Sequence, residues 1–190
     1  MSTRTIARAG LVAALYAAIT IALGYISYGP VQLRVSEALA VLPILMPEAI
    51  PGLFVGAAIG NIPSPVGIVD VILGSMATLL GAFGTWKLRE RRLLAMTCPV
   101  IANALIVPAY LLPILGADAF PGWFGPGLGA YLAGVLTVGA GEAVAVYLLG
   151  GVLLIALERA GLAEKLSPRG DRGADGDRGS DSPVDEHQPG

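Results

Sequence analysis

Two long stretches of this chain carry almost no charge. Of the Lys, Arg, Asp and Glu residues, only five fall between residues 9 and 87, and only two fall between residues 93 and 157. Charged residues make up 14% of the chain, whereas a soluble domain carries about 25%. Surfaces this poor in charge are suited to lipid rather than to water. The sequence therefore predicts a membrane protein that crosses the bilayer several times.

The basic residues predict the topology. Lys and Arg accumulate on the cytoplasmic side of membrane proteins, and eleven of the twelve fall into groups at residues 4–8, 87–92 and 159–178. If all three groups lie on one side, the number of crossings between neighbouring groups is even. Two spans fit between the second and third groups, and proline and glycine breaks divide the stretch before the second group into four. The predicted fold is an all-α bundle of six transmembrane helices with both termini in the cytoplasm.

A helix needs about 20 mainly apolar residues to cross a bilayer. The second and third spans are short, and we expect them to be distorted. We also expect the first span to be retained, because its apolar run is longer than that of a signal peptide. Residues 1–166 then form the membrane domain, and residues 167–190 form a disordered polar tail. The predicted spans are residues 6–26, 31–46, 47–62, 67–86, 93–115 and 127–157.

Composition argues against most enzyme chemistry. The single histidine, His187, lies in the polar tail, and Cys98 is the only cysteine. Neither residue offers a catalytic dyad or a set of metal ligands within the membrane domain. The chain also has no glycine-rich loop ending in Gly-Lys-Ser/Thr that would hold ATP phosphates. We expect no enzyme activity, no metal, no cofactor and no nucleic-acid binding, and any energy for transport must come from a gradient or from another subunit.

Four charged residues fall inside the predicted spans and away from their cytoplasmic ends: Arg34, Glu37, Asp70 and Glu142. Such residues together could cost as much as roughly 10–14 kcal/mol on insertion scales, so they indicate a function or a partner. Arg34 and Glu37 are three residues apart and would share a helix face, so a structural ion pair between them is one interpretation.

The predicted topology places most of these polar residues near the outer ends of their spans. This indicates a pocket open to the outside, whose formal charge is −2 if all four charged residues are ionised. Carboxylates accept hydrogen bonds, so a cationic or donor-rich ligand suits the pocket. Trp123 and Tyr131 could stack on the ligand, or could simply mark the membrane interface. The candidate ligand-binding residues are Arg34, Glu37, Asn61, Asp70, Trp123, Tyr131 and Glu142.

Small residues recur every four positions on two predicted spans. Ala9, Ala13 and Ala17 form such a row on the first span, and Gly52, Gly56 and Gly60 form one on the third. Small residues at this spacing let membrane helices approach closely. The glycines fit packing within the bundle, whereas the alanine row could dock another protein.

Three segments resemble the QueT-type queuosine-precursor transporters, which are substrate-binding S components of energy-coupling factor (ECF) importers. The segments are residues 28–43 (YGPVQLRVSEALAVLP), residues 47–61 with the motif PEAIPGLFVG, and residues 70–79 (DVILGSMATL). The resemblance extends over about residues 8–159. It implies a subunit in the cell membrane that captures a 7-deazaguanine precursor from outside. It also implies partners, namely a transmembrane T component that contacts the alanine row and two cytosolic ATPases.

The ligand that the resemblance implies suggests a role for each polar residue. Glu37 would accept two hydrogen bonds from the guanine-like edge, with Arg34 orienting it. Asp70 would bind a cationic aminomethyl group, Asn61 would read the ring carbonyl, and Trp123 or Tyr131 would stack on the base.

Other functions stay open at this point. A stand-alone secondary transporter would use Asp70 and Glu142 as proton or sodium sites. An S component for another vitamin would share the same architecture. A membrane enzyme would use one of the carboxylates as an acid or base, but no nucleophile–base pair supports it.

Overall fold

A computed structural model describes residues 2–28 and 33–166, and every regular element in these ranges is a helix. The predicted all-α fold is therefore confirmed, and the predicted tail at residues 167–190 lies outside the described residues. The α-helices are α1 (Thr3–Ala22), α2 (Gly24–Ser27), α3 (Ala49–Gly60), α4 (Ser75–Lys87), α5 (Arg92–Leu115), α6 (Leu128–Ala143), α7 (Gly151–Arg159) and α8 (Leu162–Leu166).

Three further helical segments bear on the site. A long 3₁₀ helix covers Val35–Ile44. A first π segment, Asp70–Gly74, leads into α4. A second π segment, Val144–Gly150, joins α6 to α7. Two short 3₁₀ turns, Ala117–Ala119 and Gly122–Phe124, lie in the loop between α5 and α6.

Within the described part of the chain, three helices are long and apolar enough to cross a membrane: Thr3–Ala22, Arg92–Leu115 and the continuous run Leu128–Arg159. Val35–Ile44 and Ala49–Gly60 are apolar but shorter. Both are shorter than the spans predicted at residues 31–46 and 47–62, and the first is a 3₁₀ helix with Pro43 inside it. The expected distortion is present, while the count of six spans and the direction of the termini stay predictions.

Glycines bring α1 and α3 into close contact. A Cβ atom on Gly52 would lie 2.5 Å from the carbonyl oxygen of Ala9, and one on Gly56 would lie 2.8 Å from that of Ala13. Later residues of α3 meet later residues of α1, so the two helices run parallel. The glycine row thus packs within the bundle, as one interpretation of the sequence had it.

Helices α4, α5 and α6 pack antiparallel through glycine and proline. A Cβ atom on Gly81 of α4 would lie 2.7 Å from Cα of Pro99, and one on Gly134 of α6 would lie 2.8 Å from Cβ of Pro108. Both prolines lie inside α5. The flat pyrrolidine ring and the missing side chain of glycine together allow close approach of these backbones.

The bundle has two distinct ends, named here after one residue each. At the Glu48 end, Arg8 lies 2.8 Å from Glu48, and Arg92 lies 2.6 Å from Glu158. Both side chains of the Arg8–Glu48 pair are partly exposed. At the opposite, Asp70 end, α1 and α3 finish and the first π segment begins. The groups of basic residues predicted to be cytoplasmic, as far as they are described, all lie at the Glu48 end.

Candidate ligand-binding site

A set of buried polar side chains lies in the interior toward the Asp70 end. We call this set the polar cluster. Its members come from each of the major helical segments, and none is more than 6% exposed. The polar cluster consists of Tyr16, Arg34, Glu37, Asn61, Asp70, Thr78, Asn103, Tyr110 and Glu142.

Irregular helical geometry accompanies every charged member of the polar cluster. Arg34 is the N-cap of the long 3₁₀ helix, and Glu37 lies in its first turn. Asp70 is the first residue of the first π segment. Glu142 lies two residues before the second π segment. Single π turns within helices are frequent at functional sites because they redirect side chains and leave backbone groups differently paired.

Asp70 is the centre of the first group of contacts. One terminal nitrogen of Arg34, Nη2, lies 3.4 Å from each carboxylate oxygen of Asp70. Tyr110 donates a hydrogen bond from its hydroxyl to Asp70 Oδ1. Asn61 donates from Nδ2 to the Asp70 backbone carbonyl at 3.0 Å. The interpretation of Arg34 and Glu37 as an ion pair is corrected here: Arg34 is the N-cap, with an extended backbone at φ −88° and ψ 94°, so it does not share a helix face with Glu37, and it pairs with Asp70.

Glu37 is the centre of the second group of contacts and is 0% exposed. Its Oε1 accepts hydrogen bonds from the hydroxyl of Tyr16 and, at 3.1 Å, from that of Thr78. These donors come from α1 and α4. Two hydroxyls from different helices therefore fix the carboxylate, a role that sequence analysis had given to Arg34.

Glu142 and Asn103 form the third group. Asn103 Nδ2 donates to Glu142 Oε1 at 2.7 Å, joining α5 to α6. Glu142 also interacts electrostatically with Glu37 and with Arg34. The three groups thus act on one another within a single buried region.

Four polar atoms in the polar cluster have no hydrogen-bond partner among the described residues, and we call them the open atoms. They are Arg34 Nε, Glu37 Oε2, Asn61 Oδ1 and Asn103 Oδ1. Buried polar atoms are nearly always paired, because leaving one without a partner costs roughly 1–3 kcal/mol or more. One open donor and three open acceptors, gathered in one buried region, are typical of a site that pairs them with a ligand.

A narrow cleft reaches into the polar cluster between α5 and α6. Its walls leave no room for a water-sized sphere, and it is lined by Arg34, Asn103, Val107, Val138 and Glu142. Ligand pockets typically measure about 300–1,000 Å³, so a bicyclic ligand would require these walls to move apart.

The structure brings together five of the seven predicted ligand-binding residues: Arg34, Glu37, Asn61, Asp70 and Glu142. It places the two predicted aromatic residues elsewhere. Trp123 is 64% exposed and packs edge-on against Phe124. Tyr131 donates from its hydroxyl to the Leu105 carbonyl at 3.1 Å. Their positions agree better with the alternative that they mark the membrane interface.

Four members of the polar cluster were not among the predicted ligand-binding residues: Tyr16, Thr78, Asn103 and Tyr110. Their signal in the sequence is weak, because each is a single neutral polar residue in an apolar run. Tyr16 lies far from the ends of α1, where membrane tyrosines usually occur. That displacement is the feature that could have identified it.

The predicted docking residues on α1 differ in accessibility. Ala13 and Ala17 are buried, with Ala13 against the glycine row of α3. Ala9, which is half-buried, and Ala13 both line an open apolar groove between α1 and α3 at the Glu48 end. Other residues of this groove are Ile6, Gly10, Pro51, Gly52 and Val55.

Comparison with known proteins matches most of the chain to a transporter family. The sequence profile described as QueT transporter matches residues 6–159 of the chain. No curated protein and no solved structure matches the sequence. Within residues 2–28 and 33–166, no group of three or more His, Cys, Asp or Glu side chains could hold a metal ion.

Proposed function

Because this chain belongs to the QueT transporter family, we propose that it is the substrate-capturing S component of an ECF importer for a 7-deazaguanine precursor of queuosine. It would sit in the cell membrane with the Asp70 end facing outward. Transport would depend on a T component and two cytosolic ATPases.

The open atoms carry this proposal. The polar cluster offers three buried acceptors and one buried donor that the described protein leaves without partners. A guanine-like ring presents adjacent N–H donors beside a carbonyl acceptor, and so supplies the complementary groups. Pairing them would remove the penalty of the open atoms and add hydrogen bonds to charged groups.

The formal charge of the polar cluster supports the same class of ligand. Glu37, Asp70 and Glu142 outnumber Arg34, which leaves −2 if all four are ionised. Arg34 and Asp70 largely offset each other because they are paired. Glu37 and Glu142 are left to attract a neutral or cationic heterocycle. Asp70, already paired with Arg34, is better suited to hold Arg34 in place than to bind the aminomethyl group assigned to it from sequence.

The apolar groove between α1 and α3 supports docking of the T component at the opposite end. The groove lies at the Glu48 end, which the basic residues mark as cytoplasmic. Ala9 and Gly10 have small side chains, so a helix of the T component could approach the backbone of α1 closely at the groove. Ala13 also lines this groove, whereas Ala17, which is buried and does not line it, would contribute to the shape of α1 rather than to the contact.

Binding to the purified protein tests ligand capture. The full chain in detergent micelles should bind 7-aminomethyl-7-deazaguanine by isothermal titration calorimetry, without any other subunit. Guanosine, whose bulky ribose the cleft would not admit, serves as the control ligand. If saturating deazaguanine gives no heat and no thermal shift while another vitamin does, the S-component function would stand with a different ligand.

Reconstitution tests the partners. In liposomes, the protein by itself should show no uptake driven by a proton or sodium gradient, and uptake should require the T component, the ATPases and ATP. Uptake by the protein alone under an ion gradient would show a secondary transporter and overturn the proposal.

A further inference from the structure

We infer that Glu142 and Asn103, rather than Glu37, recognise the donor edge of the ligand, with the ring lying between Val107 and Val138. This inference rests on the proposed function. It assigns specificity to a residue pair on α5 and α6, and it gives Asn103 a role that its sequence context does not indicate.

The orientation of the Asn103 side chain is fixed by its partner. Asn103 donates from Nδ2 to Glu142 Oε1 at 2.7 Å. The amide oxygen of Asn103 therefore points elsewhere, and it is one of the open atoms. Asn103 is 3% exposed and Glu142 is 2% exposed, and both line the cleft. The pair thus presents two neighbouring acceptor groups, one carboxylate and one amide oxygen.

The walls of the cleft suit a flat ring. Val107 lies one turn after Asn103 on α5, and Val138 lies one turn before Glu142 on α6. Because α5 and α6 are antiparallel, both valines are displaced toward the Asp70 end and both line the cleft. Two branched apolar side chains on opposite helices can contact the two faces of a heterocycle, and its polar edge then points at the Asn103–Glu142 pair.

Arg34 supplies the donor that completes the pattern. It lines the same cleft. Nη2 is held by Asp70, so the planar guanidinium is fixed, and Nε is an open atom. Along a guanine-type edge the ligand offers an NH₂ group, a ring N–H and a carbonyl oxygen. The cleft offers the amide oxygen of Asn103, the carboxylate of Glu142 and the N–H of Arg34.

Glu37 is less suited to this task. Its Oε1 already accepts from Tyr16 and Thr78, and Glu37 is not among the residues that line the cleft. Only Oε2 is an open atom. Glu37 can still attract a positively charged substituent, but a bidentate contact with the ring edge requires both oxygens of a carboxylate.

The test compares two ligands that differ only in the exocyclic amine: 7-deazaguanine and 7-deazahypoxanthine. We expect the wild-type protein to bind the first at least tenfold more tightly, because 7-deazahypoxanthine would leave the buried amide oxygen of Asn103 without a partner. In Asn103→Leu, the ratio of the two dissociation constants should fall to within about threefold of one. Glu142→Gln, which alters the contact with the ring N–H that both ligands carry, should weaken the binding of both. Asn103→Ser, a smaller change, should lower the ratio in the same direction if the leucine variant does not fold.

Asn61→Leu is the matched control, since it removes an open acceptor at the Asp70 end. It should weaken both ligands similarly and leave their ratio at the wild-type value. The inference is overturned if wild-type protein binds the two ligands equally, or if the Asn103 variants keep the wild-type ratio. Either result leaves the proposed function standing, whereas a wild-type protein that binds neither deazapurine overturns both.

Discussion

Arg34 Nη2 lies 3.4 Å from the carboxylate of Asp70, a residue 36 positions further along the chain. The pair joins the start of the long 3₁₀ helix to the first π segment, and both side chains are nearly fully buried. Tyr110 of α5 completes this contact through Asp70. A single carboxylate therefore connects three segments of the bundle at the end where we place ligand entry.

Removing one partner of this ion pair should destabilise the protein. Asp70→Asn leaves the guanidinium of Arg34 without its counter-charge, and breaking a buried pair costs roughly 3–5 kcal/mol. The double variant Arg34→Met/Asp70→Asn should be more stable than the sum of the single variants predicts. Denaturant unfolding in detergent micelles, followed by tryptophan fluorescence, measures the coupling. Additive single effects would mean that the pair contributes no net interaction.

Gly74→Ala should weaken ligand binding. A Cβ atom at Gly74 would lie 2.7 Å from Asn61 Nδ2 and 2.9 Å from Asp70 Oδ1. Both side chains are held by hydrogen bonds, so the new methyl group must displace them, at about 1–3 kcal/mol. We expect the dissociation constant to rise about tenfold or more. Gly151→Ala is the control, because its Cβ would meet only Met96 Cε at 3.8 Å. Equal affinities for the two variants would contradict the geometry of this region.

Gly56→Ala should destabilise the α1–α3 contact and also affect the site. The added Cβ atom would lie 2.8 Å from the Ala13 carbonyl oxygen and 2.8 Å from Cβ of Tyr16. Backbone cannot yield locally, so the helices must separate, with a loss of roughly 1–3 kcal/mol in unfolding free energy. Tyr16 would move with α1 and weaken its bond to Glu37. Thermal unfolding checks the first effect and ligand titration the second, with Gly10→Ala, whose Cβ meets nothing within 4 Å, as the control.

Gly10→Leu should block transport without affecting capture. The new side chain has open space within the protein and would fill the groove between α1 and α3. Ligand titration of the purified variant should match wild type, while uptake with the T component and ATPases should fall at least tenfold. Ala140→Leu, an exposed substitution on α6, controls for added bulk on the surface of the bundle. Normal uptake by Gly10→Leu would exclude the groove as the docking surface.

Ligand association should be slow and should reach a limiting rate. The walls of the cleft leave no room for a water-sized sphere, whereas ligand pockets usually measure about 300–1,000 Å³. Binding must therefore include a step that separates its walls. Stopped-flow fluorescence at rising ligand concentration should show an observed rate that levels off. If the observed rate instead rises linearly with ligand concentration, with a slope of about 10⁷ M⁻¹s⁻¹, the cleft is already open to the ligand.

The fold class could be predicted from the sequence because the near-absence of charge extends over tens of residues, and such stretches form helices in lipid. The breaks at proline and glycine place most helix ends within a few residues of those in the structure. The 3₁₀ helix at Val35–Ile44 and the two π segments were not predicted. Such changes of helical form depend on tertiary contacts, for example Gly150 against Val41, where a Cβ would lie 2.7 Å from a side-chain carbon.

The charged part of the site was also predictable, and the pairing within it was not. Burying a charged side chain in a membrane span is costly, so a functional role can be inferred for each such residue from the sequence alone. These residues are Arg34, Glu37, Asp70 and Glu142. The partner of each depends on which helices are neighbours. Spacing along the chain suggested an ion pair between Arg34 and Glu37. In the folded bundle Arg34 instead forms an ion pair with Asp70, and Glu37 accepts a hydrogen bond from Tyr16. Asn103 was missed as a ligand-binding residue because a neutral amide costs little and so carries little signal.

The second π segment has a consequence for how this chain can vary in length. A π turn closes i→i+5 hydrogen bonds and therefore holds one residue more than an α turn. Deleting a single residue from 144–150 would restore regular α-geometry and leave α7 facing the same side relative to Glu142, whereas deleting a second residue would turn α7 by about 100°. The length of this one helical turn should therefore vary by no more than one residue, while the loop between α5 and α6 should tolerate larger changes.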